Sequence, residues 1–443
     1  MAASTSERLS VLDVARGARQ AANKLALLSD GIRREALLAV ADALVSRQSE
    51  ILNANQLDVE LASEAVARGD MSRAFLDRLK TSEAGMSQMA AQVRAVAALQ
   101  DPLGIVLSAT QLDDDLKLYK VSCPLGVIAI VFESRPDVIP QVAALTLRSG
   151  NAVVFKGGKE AANTNAALLN TWQDALKLFS EIPPNATNLI HTRTDVAELL
   201  ALEDEVDLVI PRGSKEFVRH IAKTSHIPVM GHGEGICHVY VDSAADPEKA
   251  LAIALDSKIQ YPAACNSMET LLVHHDIAPV FLEEIVKRFR SAGVEVRGCS
   301  ETVSLAGSEA VFPASDADWS TEYSDLVVSI KVVDTMDEAI QHISRYGSRH
   351  TETIVTDDHC TAQDFMNRID AAGVFHNAST RFADGFRYGL GAELGISTAK
   401  LHARGPVGLE GLTTYKYKLV GQGHTVEPYV RGERSFKHTP LPS

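Results

Sequence analysis

Apolar side chains recur at helical spacing through the first hundred residues. In the first such stretch they stand three or four residues apart: Leu12, Ala15, Ala18, Ala22 and Leu25. This period is typical of a helix with one buried face. A second run begins at Ile32, where Asp30 is placed to cap it. The chain is therefore predicted to begin with a helical entry region.

From Gly126 the pattern changes to short apolar runs that alternate with longer amphipathic stretches. They follow one another as Val127 to Phe132, Val138 to Arg148, Ala152 to Phe155 and Ala161 to Phe179, with further apolar runs at Asn188 to His191, Leu208 to Ile210 and Val229. An order of strand, helix and strand predicts a parallel sheet that helices cover on both faces.

A second series of apolar runs follows, with helical stretches between most of them. Its predicted strands are His238 to Val241, Thr270 to His274, Leu326 to Val333, Thr353 to Val355 and Gly373 to His376. Two such series predict an α/β protein with two lobes, which we expect to pack around a cleft because no long linker separates them. Leu116 to Ser122 and Thr413 to Leu419 alternate apolar and polar residues, and are predicted to pair as a small extra sheet.

Composition and charge narrow the class of function. The chain has 443 residues, 46% of them hydrophobic, which is enough for two or three domains with cores of their own. The formal net charge of -14 leaves no basic field to hold nucleic acid or an anionic membrane surface. The longest fully apolar run near the middle of the chain, Val127 to Phe132, is far shorter than the roughly 20 residues of a membrane-spanning helix. The polar start, Met1 to Ser10, differs from signal and transit peptides, so the expected location is cytoplasmic.

Cysteine usage argues against disulfides and metals. The five cysteines are Cys123, Cys237, Cys265, Cys299 and Cys360. An odd number of cysteines argues against a disulfide framework, and the lack of a Cys-x-x-Cys pair excludes the usual zinc spacing, so no metal is expected. Cys265 differs from a buried apolar cysteine because a proline and two small residues precede it in a predicted loop, which leaves the thiol accessible as a nucleophile. No base stands beside it in sequence, so backbone dipoles or cations from elsewhere would have to favour the thiolate.

Glycines indicate where a nucleotide could bind. The segments 231–235 and 389–391 lack the third glycine of a dinucleotide fingerprint at the required place, after a strand and at the start of a helix, and are rejected. Lys156 and Gly157 follow a predicted buried strand, where an open parallel sheet has its ligand crevice. Lys156 either meets a ribose or its 2′-phosphate, or is a solvated lysine in a turn. Gly213 and Ser214 open a helix whose backbone N–H groups could receive a phosphate, and a plain serine cap explains them equally well.

Five segments together resemble the γ-glutamyl phosphate reductases. They are Leu125 to Asp137, Ser149 to Ala161, Tyr261 to Leu272, Asn377 to Gly385 and Gly391 to Tyr417. The resemblance extends over nearly the whole chain, and the last segment is highly specific to that family. It implies the aldehyde dehydrogenase architecture, with two α/β lobes that contain parallel-type sheets and a small oligomerisation sheet. It also identifies Cys265 as the catalytic nucleophile.

The resemblance implies a domain division and a homo-oligomer. The implied parts are a cofactor-binding domain (1–112 and 124–236), a catalytic domain (237–376), oligomerisation segments (113–123 and 405–425), and a return to the cofactor domain and substrate cleft (377–404). The oligomerisation segments are those that carry the two alternating patterns. A second copy of the chain is therefore an expected partner.

Matches to the wider superfamily imply roles for individual residues. The cofactor contacts would be Lys156, beside Gly157, at the adenosine ribose, Gly213 and Ser214 under the pyrophosphate, and Glu322 at the nicotinamide ribose. Ser134 stands where aldehyde dehydrogenases carry an asparagine that helps to hold the oxyanion. The glutamate that activates water in hydrolytic relatives has no counterpart, since Gly231 and His232 occupy that stretch.

The implied activity is NADPH-dependent reduction of L-glutamyl 5-phosphate to L-glutamate 5-semialdehyde and phosphate, through a thioester on Cys265. This reaction is the second step of proline synthesis from glutamate, so glutamate 5-kinase is an expected partner. Ser379, Thr380 and Arg381 are expected to bind the substrate, and a structural salt bridge is the other explanation of Arg381. Two alternatives are a hydrolytic aldehyde dehydrogenase, which needs the missing glutamate, and a non-catalytic scaffold, which does not need Cys265.

Overall fold

The computed structural model describes residues 9–133, 135–231 and 233–442, apart from the side chain of Ala74. The chain divides into two compact units. Unit 1 comprises Met1–Met230, Leu390–Leu394 and Val407–Ser443, and unit 2 comprises Gly231–Gly389 and Gly395–Pro406. Throughout these described ranges, no helix combines the length and the apolar composition that crossing a bilayer requires.

The helices and strands follow in chain order. The helices are α1 (Val11–Leu25), α2 (Asp30–Ser46), α3 (Gln48–Ala67), α4 (Arg73–Leu79), α5 (Glu83–Ala98), α6 (Val138–Arg148), α7 (Ala162–Leu176), α8 (Arg193–Leu199), α9 (Lys215–Thr224), α10 (Pro247–Ile259), α11 (Ala278–Ser291), α12 (Ser300–Ala306), α13 (Met336–Tyr346), α14 (His359–Arg368) and α15 (Glu427–Val430). The strands are β1 (Val106–Asp113), β2 (Leu116–Pro124), β3 (Val127–Phe132), β4 (Ala152–Lys156), β5 (Thr187–Leu189), β6 (Leu208–Arg212), β7 (Cys237–Val241), β8 (Met268–His274), β9 (Glu295–Gly298), β10 (Phe312–Pro313), β11 (Val327–Val333), β12 (Thr351–Val355), β13 (Gly373–His376), β14 (Ile396–Ser397), β15 (Gly405–Pro406), β16 (Thr413–Val420) and β17 (Thr439–Leu441).

The predicted helical entry region is confirmed, with one correction at a helix start. The cap of α2 is Ser29 rather than Asp30, because the Ser29 side chain accepts a hydrogen bond from the amide of Ile32 at 3.4 Å. Asp30 is instead the first helical residue, where its negative charge favours the positive end of the helix dipole. Four of the five predicted apolar positions of α1 are buried: Ala15, Ala18, Ala22 and Leu25.

Unit 1 contains the first predicted parallel sheet. Its strand order is β5-β4-β3-β6, and all three pairings are parallel. A single parallel bridge from Val209 to Val229 extends it, at the position where the apolar pattern repeats. The strands β3 and β4 are buried along nearly their whole length, which explains why they read as continuous apolar runs.

The predicted pairing of the two alternating segments is also confirmed. β16 pairs antiparallel with β2, so that Tyr415 lies opposite Ser122. The sheet is larger than expected, because its order is β16-β2-β1-β17 and includes strands that the sequence pattern did not indicate. The outer strand β16 exposes Tyr415, Tyr417 and Leu419, with 47%, 61% and 59% of their surfaces accessible.

Unit 2 contains the second parallel sheet, with seven strands in the order β10-β9-β11-β8-β7-β12-β13. All of its pairings are parallel. Neighbouring residues of one strand point to opposite faces. Val239 and Leu271 accordingly join one hydrophobic core together with Phe281, whereas Tyr240 and Leu272 join a second core on the other face. Helices therefore cover both faces, as the second series of apolar runs predicted.

The two compact units can be compared with the predicted domain division, whose functional parts stay a prediction. Unit 2 begins at Gly231 rather than at 237, since the strand β7 is preceded by a segment tied to the same unit: the amide of Ile236 donates to Ser348 Oγ at 2.8 Å. Residues 377–389 and 395–406 also cluster with unit 2 and do not return to unit 1. Asn266 Nδ2, for example, donates to the carbonyl of Ala383 at 2.8 Å.

Candidate active site

Cys265 lies in the loop between α10 and β8. The loop is a pair of tight turns, in which the amide of Ala264 donates to Tyr261 O at 3.1 Å and the amide of Ser267 donates to Ala264 O at 2.9 Å. Asn266 and Ser267 are buried, whereas Cys265 is partly exposed. The backbone thus holds the thiol at the surface of unit 2, which agrees with the accessible loop that the sequence predicted.

Gly235 packs directly against the main chain of Cys265. A Cβ built on Gly235 would lie 1.9 Å from the carbonyl oxygen of Cys265 and 2.7 Å from its Cα. No side chain fits there unless the backbone of the Cys265 loop moves. The glycine segment 231–235, which was rejected as a dinucleotide fingerprint, therefore includes a glycine that the loop itself requires.

His350 is the functional residue that the sequence analysis missed. Its Nε2 lies 3.2 Å from Cys265 Sγ, and the side chain is fully buried. Gly235, Cys265 and His350 each stand just before one of the adjacent parallel strands β7, β8 and β12. The starts of parallel strands meet at one edge of a sheet, so the strand order brings these residues together. The sequence does show a histidine immediately before a buried strand. Only the strand order places that histidine beside Cys265.

Cys237 lies beneath the same loop. Its Sγ donates to the carbonyl of Cys265 at 3.4 Å and lies 3.7 Å from His350 Nδ1. Burial raises the pKa of the Cys237 thiol well above its ordinary value, and the charge of Glu352 adds to that shift. Cys237 therefore keeps its proton and serves as a hydrogen-bond donor, which distinguishes it from Cys265.

The expected substrate residues lie in unit 2 with Cys265, and all three are buried. Ser379 Oγ accepts from Ser257 Oγ at 3.1 Å and from the amide of Arg381 at 3.2 Å. The amide of Thr380 donates to Ser257 Oγ at 3.2 Å. These contacts fasten the segment to α10. They give Ser379 and Thr380 a structural role, and their expected substrate contacts stay a prediction.

Arg381 is the cationic side chain of this segment and is coupled electrostatically to Cys265. Its Nε donates to Gln260 Oε1 at 2.8 Å, and its guanidinium lies 5.8 Å from the ring centre of Tyr261. Burial lowers the pKa of Arg381, the neighbouring charge of Arg387 lowers it further, and Cys265 opposes the shift. A guanidinium coupled electrostatically to Cys265 provides positive charge where an anionic substrate would approach.

Glu322 lies partly exposed in the loop that precedes β11 in unit 2. Its charge contributes to the raised pKa of Glu269, a buried carboxyl whose Oε2 accepts from Lys258 Nζ at 2.7 Å. The expected contact of Glu322 with a nicotinamide ribose stays a prediction.

The expected cofactor residues Lys156 and Gly157 stand at the carboxyl end of β4 in unit 1. Burial lowers the pKa of Lys156, and the charges of Glu160 and Arg193 act on it in opposite directions. A Cβ on Gly157 would lie 2.2 Å from Asn165 Nδ2, so the side chain of Asn165 would have to move. Lys156 is thus a half-buried cation at a strand end and not a freely solvated lysine.

Gly213 and Ser214 form the turn from β6 into α9. Ser214 caps this helix, because its Oγ accepts from the amide of Phe217 at 3.4 Å. Its own amide donates to Glu133 Oε2 at 3.1 Å, and a Cβ on Gly213 would lie 2.4 Å from the same oxygen. A carboxylate oxygen therefore occupies the helix start where a phosphate oxygen was expected, which shows that the turn accepts an anion. The expected residues Ser134 and His232 lie outside the described residues.

Comparisons with known proteins agree with this architecture. Residues 2–303 match the aldehyde dehydrogenase family. Gamma-glutamyl phosphate reductase from Haloquadratum walsbyi is 53% identical over 427 residues, which cover 95% of this chain and 93% of that protein. The crystal structure of gamma-glutamyl phosphate reductase from Thermotoga maritima superposes with a TM-score of 0.90 at 40% identity and covers 94% of this chain and 100% of that one.

A more distant match shows similarity of the fold alone. An engineered glycolyl-CoA reductase with bound NADP⁺ has a TM-score of 0.64 at 15% identity, over 94% of this chain and 98% of that one. The α/β architecture with parallel sheets and a small antiparallel sheet is thus shared at very different degrees of sequence identity. From the matched family profile and the similarity to the Haloquadratum and Thermotoga proteins, it follows that this chain belongs to the aldehyde dehydrogenase family and, within it, to the gamma-glutamyl phosphate reductases.

Proposed function

We propose that the protein reduces L-glutamyl 5-phosphate to L-glutamate 5-semialdehyde and phosphate, with NADPH as reductant and a thioester on Cys265 as intermediate. The observation that carries this proposal is the surroundings of Cys265. The residue is partly exposed, its Sγ lies 3.2 Å from Nε2 of His350, and it is coupled electrostatically to the guanidinium of Arg381. A cysteine next to an imidazole and a guanidinium charge is a usual setting of a nucleophilic thiolate.

In the first step the Cys265 thiolate attacks the acyl carbon of the substrate. A carbon–sulfur bond forms, the bond between the acyl carbon and the phosphate oxygen breaks, and phosphate leaves. The product is a γ-glutamyl thioester. The charge of Arg381 favours this step, because the approaching group is an acyl phosphate whose negative charge needs a local cation in a chain of net charge -14.

When bound, NADPH supplies the hydride that reduces the thioester carbonyl. The residues proposed to hold it are those of unit 1: Lys156 and Gly157 at the ribose, and Gly213 with Ser214 at the pyrophosphate. Glu322 of unit 2 is proposed for the nicotinamide ribose. Two observations support the fit of unit 1, namely the half-buried Lys156 cation and the start of α9, which already receives a carboxylate oxygen. The distant relative with bound NADP⁺ shows a nicotinamide dinucleotide on this fold.

The competing hydrolytic activity is disfavoured by the sequence at the position of the water-activating glutamate. Gly231 and His232 stand there and offer no carboxylate. The non-catalytic alternative is disfavoured by the retention of Cys265 with a histidine in contact. A reductase that transfers the acyl group from phosphate to sulfur uses Cys265 and the histidine in contact with it, His350, and does not need the glutamate.

The proposed partners follow from the same activity. The exposed apolar side chains of β16 favour self-association through the four-stranded antiparallel sheet, in accord with the expected homo-oligomer. Glutamate 5-kinase would supply the acyl phosphate. The cytoplasm is the proposed location, because the reaction needs NADPH and a reduced thiol.

The direct test is a coupled assay that generates L-glutamyl 5-phosphate enzymatically and follows NADPH consumption. We expect stoichiometric NADPH oxidation and semialdehyde formation, and a covalent γ-glutamyl adduct on Cys265 when NADPH is omitted. Tryptic peptides analysed by mass spectrometry would locate the adduct. NADPH oxidation that is independent of the acyl phosphate, or an adduct on another residue, would contradict the proposal.

A further inference from the structure

We propose that His350 is a catalytic residue, which accepts the proton of Cys265 and donates it to the departing phosphate. This inference rests on the proposed function, in which Cys265 is the nucleophile. Nε2 of His350 lies 3.2 Å from Cys265 Sγ, within reach for direct proton transfer. No base stands beside Cys265 in sequence, and His350 is 85 residues away along the chain.

The other side of the imidazole is anchored, which aims Nε2 at the thiol. Nδ1 lies 2.9 Å from Thr351 Oγ1 and 3.7 Å from Cys237 Sγ. With the Nδ1 proton donated to the threonine oxygen, Nε2 of the neutral ring is the acceptor that faces Cys265. Cys237 does not compete for this role, since burial raises its pKa and its S–H points to the carbonyl of Cys265.

The neighbouring buried histidine is committed elsewhere. His238 Nδ1 lies 2.8 Å from Glu352 Oε2, and the same carboxylate oxygen accepts from the His238 amide at 2.8 Å. Glu352 therefore pairs with His238, and burial raises the pKa of this carboxyl. The imidazole in contact with Cys265 is that of His350. The charge of Arg381 is coupled to Cys265, and the charges of Glu352 and Glu269 act on the neighbouring Cys237.

The chemistry balances with His350 as the proton carrier. Proton transfer from Sγ to Nε2 gives a thiolate and an imidazolium. The thiolate attacks the acyl phosphate, and the imidazolium proton passes to the phosphate oxygen as the carbon–oxygen bond breaks, which gives a thioester, hydrogen phosphate and neutral His350. After hydride reduction the thiohemiacetal collapses to aldehyde and thiolate, and His350 takes one proton from solvent. The overall reaction thus consumes NADPH and one proton per acyl phosphate.

The test compares thiol reactivity in the full-length wild type, His350→Gln and His350→Asn. Gln keeps an amide near the position of Nε2, and Asn keeps a polar group near Nδ1, but neither accepts a proton. Alkylation by iodoacetamide is followed between pH 5 and 9 by mass spectrometry of the individual cysteine peptides. The exposed Cys360 serves as an internal control in each sample, and His359→Gln, at an exposed position on α14, is the matched histidine control.

We expect the alkylation profile of Cys265 to move to higher pH in both His350 variants. Its rate at pH 7 should fall at least tenfold, while Cys360 in the same molecules and Cys265 in His359→Gln keep wild-type rates. kcat should fall by about 10² to 10⁴ for the loss of an acid–base group. If the thermal transition shows that one of the two His350 variants does not fold, the Cys265 alkylation profile of the other variant tests the inference.

An unchanged Cys265 profile in a folded His350 variant would overturn the inference, as would a wild-type profile of Cys265 that matches that of Cys360. Either result leaves the proposed function intact if the wild type still reduces the acyl phosphate. Conversely, a wild type that fails the NADPH assay would contradict the proposed function, whereas the alkylation profiles would still report on the His350–Cys265 pair.

Discussion

Gly235 and Cys265 are in direct contact through the backbone, since a Cβ on Gly235 would come within 1.9 Å of the carbonyl oxygen of Cys265. The approach ties the start of β7 to the loop before β8. Cys237, the first residue of β7, donates from its Sγ to the same carbonyl. The position of the Cys265 thiol therefore depends on a residue that carries no functional group.

Replacement of Gly235 by alanine should displace the Cys265 loop. Shifts of about 1 Å at a reacting group cost about 10² in rate, so we expect a loss of about that size in kcat with folding retained. NADPH turnover and the thermal transition measure the two effects. Gly31→Ala is the control, because a Cβ there meets no atom within 4 Å. Equal activity of the two variants would contradict the packing argument.

Replacement of Cys265 by alanine should abolish reduction and leave NADPH binding nearly unchanged. The reason is that the thiol forms the covalent intermediate, whereas the proposed cofactor contacts of Lys156 and Ser214 belong to unit 1. Fluorescence titration with NADPH and the coupled assay separate binding from turnover. Cys360→Ala, which changes an exposed cysteine, should keep full activity. A loss of NADPH affinity in Cys265→Ala as large as the loss of turnover would argue against assigning catalysis and cofactor binding to different residues.

Replacement of Lys156 by alanine should narrow the preference for NADPH over NADH. A cation near the 2′-phosphate gains a charge-assisted hydrogen bond with the phosphorylated cofactor only. The measurement is the ratio of kcat/KM for the two cofactors. Lys159→Ala removes an exposed lysine of the same segment and should leave the ratio unchanged. If both variants kept the wild-type ratio, Lys156 would have no part in cofactor selection.

Semialdehyde oxidation, the reverse reaction, should depend strictly on phosphate. The thioester on Cys265 must be discharged by a nucleophile, and general-base activation of water contributes about 10² to 10⁴ in rate. Gly231 and His232 offer no carboxylate for that purpose, whereas inorganic phosphate is already ionised at neutral pH. Arsenate should replace phosphate. NADPH formation in phosphate-free buffer should therefore stop after one burst per active site, and sustained turnover there would favour the hydrolytic alternative.

The stability of the protein should fall as pH rises from about 5 to 7, in part because of Glu269. Burial raises the pKa of Glu269 to about 7, and the neighbouring Lys258 only partly opposes this. The folded state therefore holds a proton that the unfolded chain has released, so the contribution to stability is complete below the ordinary pKa of 4.5 and lost through pH 7.

Glu269→Gln, which cannot ionise, should reduce this slope in thermal transitions measured between pH 5 and 8. Lys258, whose pKa burial lowers, contributes a slope of opposite sign below its ordinary value of 10.5. Glu284→Gln changes a partly exposed carboxyl paired with Arg288 and is the control, since ion pairs near the surface contribute little. Identical slopes in the wild type and Glu269→Gln would show that Glu269 is ionised throughout.

Where burial was complete, the sequence alone predicted the elements closely. The runs at β3 and β4 consist of consecutive apolar residues because helices cover both faces of their sheet, and the strand at 238–241 was placed within one residue of β7. Short strands with mixed composition, such as β10 and β17, carried no such pattern and were not predicted. The cap of α2 was misplaced by one residue because Ser29 and Asp30 are both good caps, and only the backbone conformation distinguishes them.

The sequence by itself determined the class of the protein, its two series of strands and the accessible cysteine, because these depend on local periodicity and on short motifs. It did not determine which residues surround that cysteine. Strand order decided this, because β8, β7 and β12 are neighbours in the sheet although three strands, β9, β10 and β11, separate β8 from β12 along the chain. Parallel pairing brings the residues before these strands, Cys265, Gly235 and His350, to one edge. Contacts between residues so far apart in the chain exist only after the sheet has formed, and the imidazole beside the thiol is therefore a property of the tertiary structure.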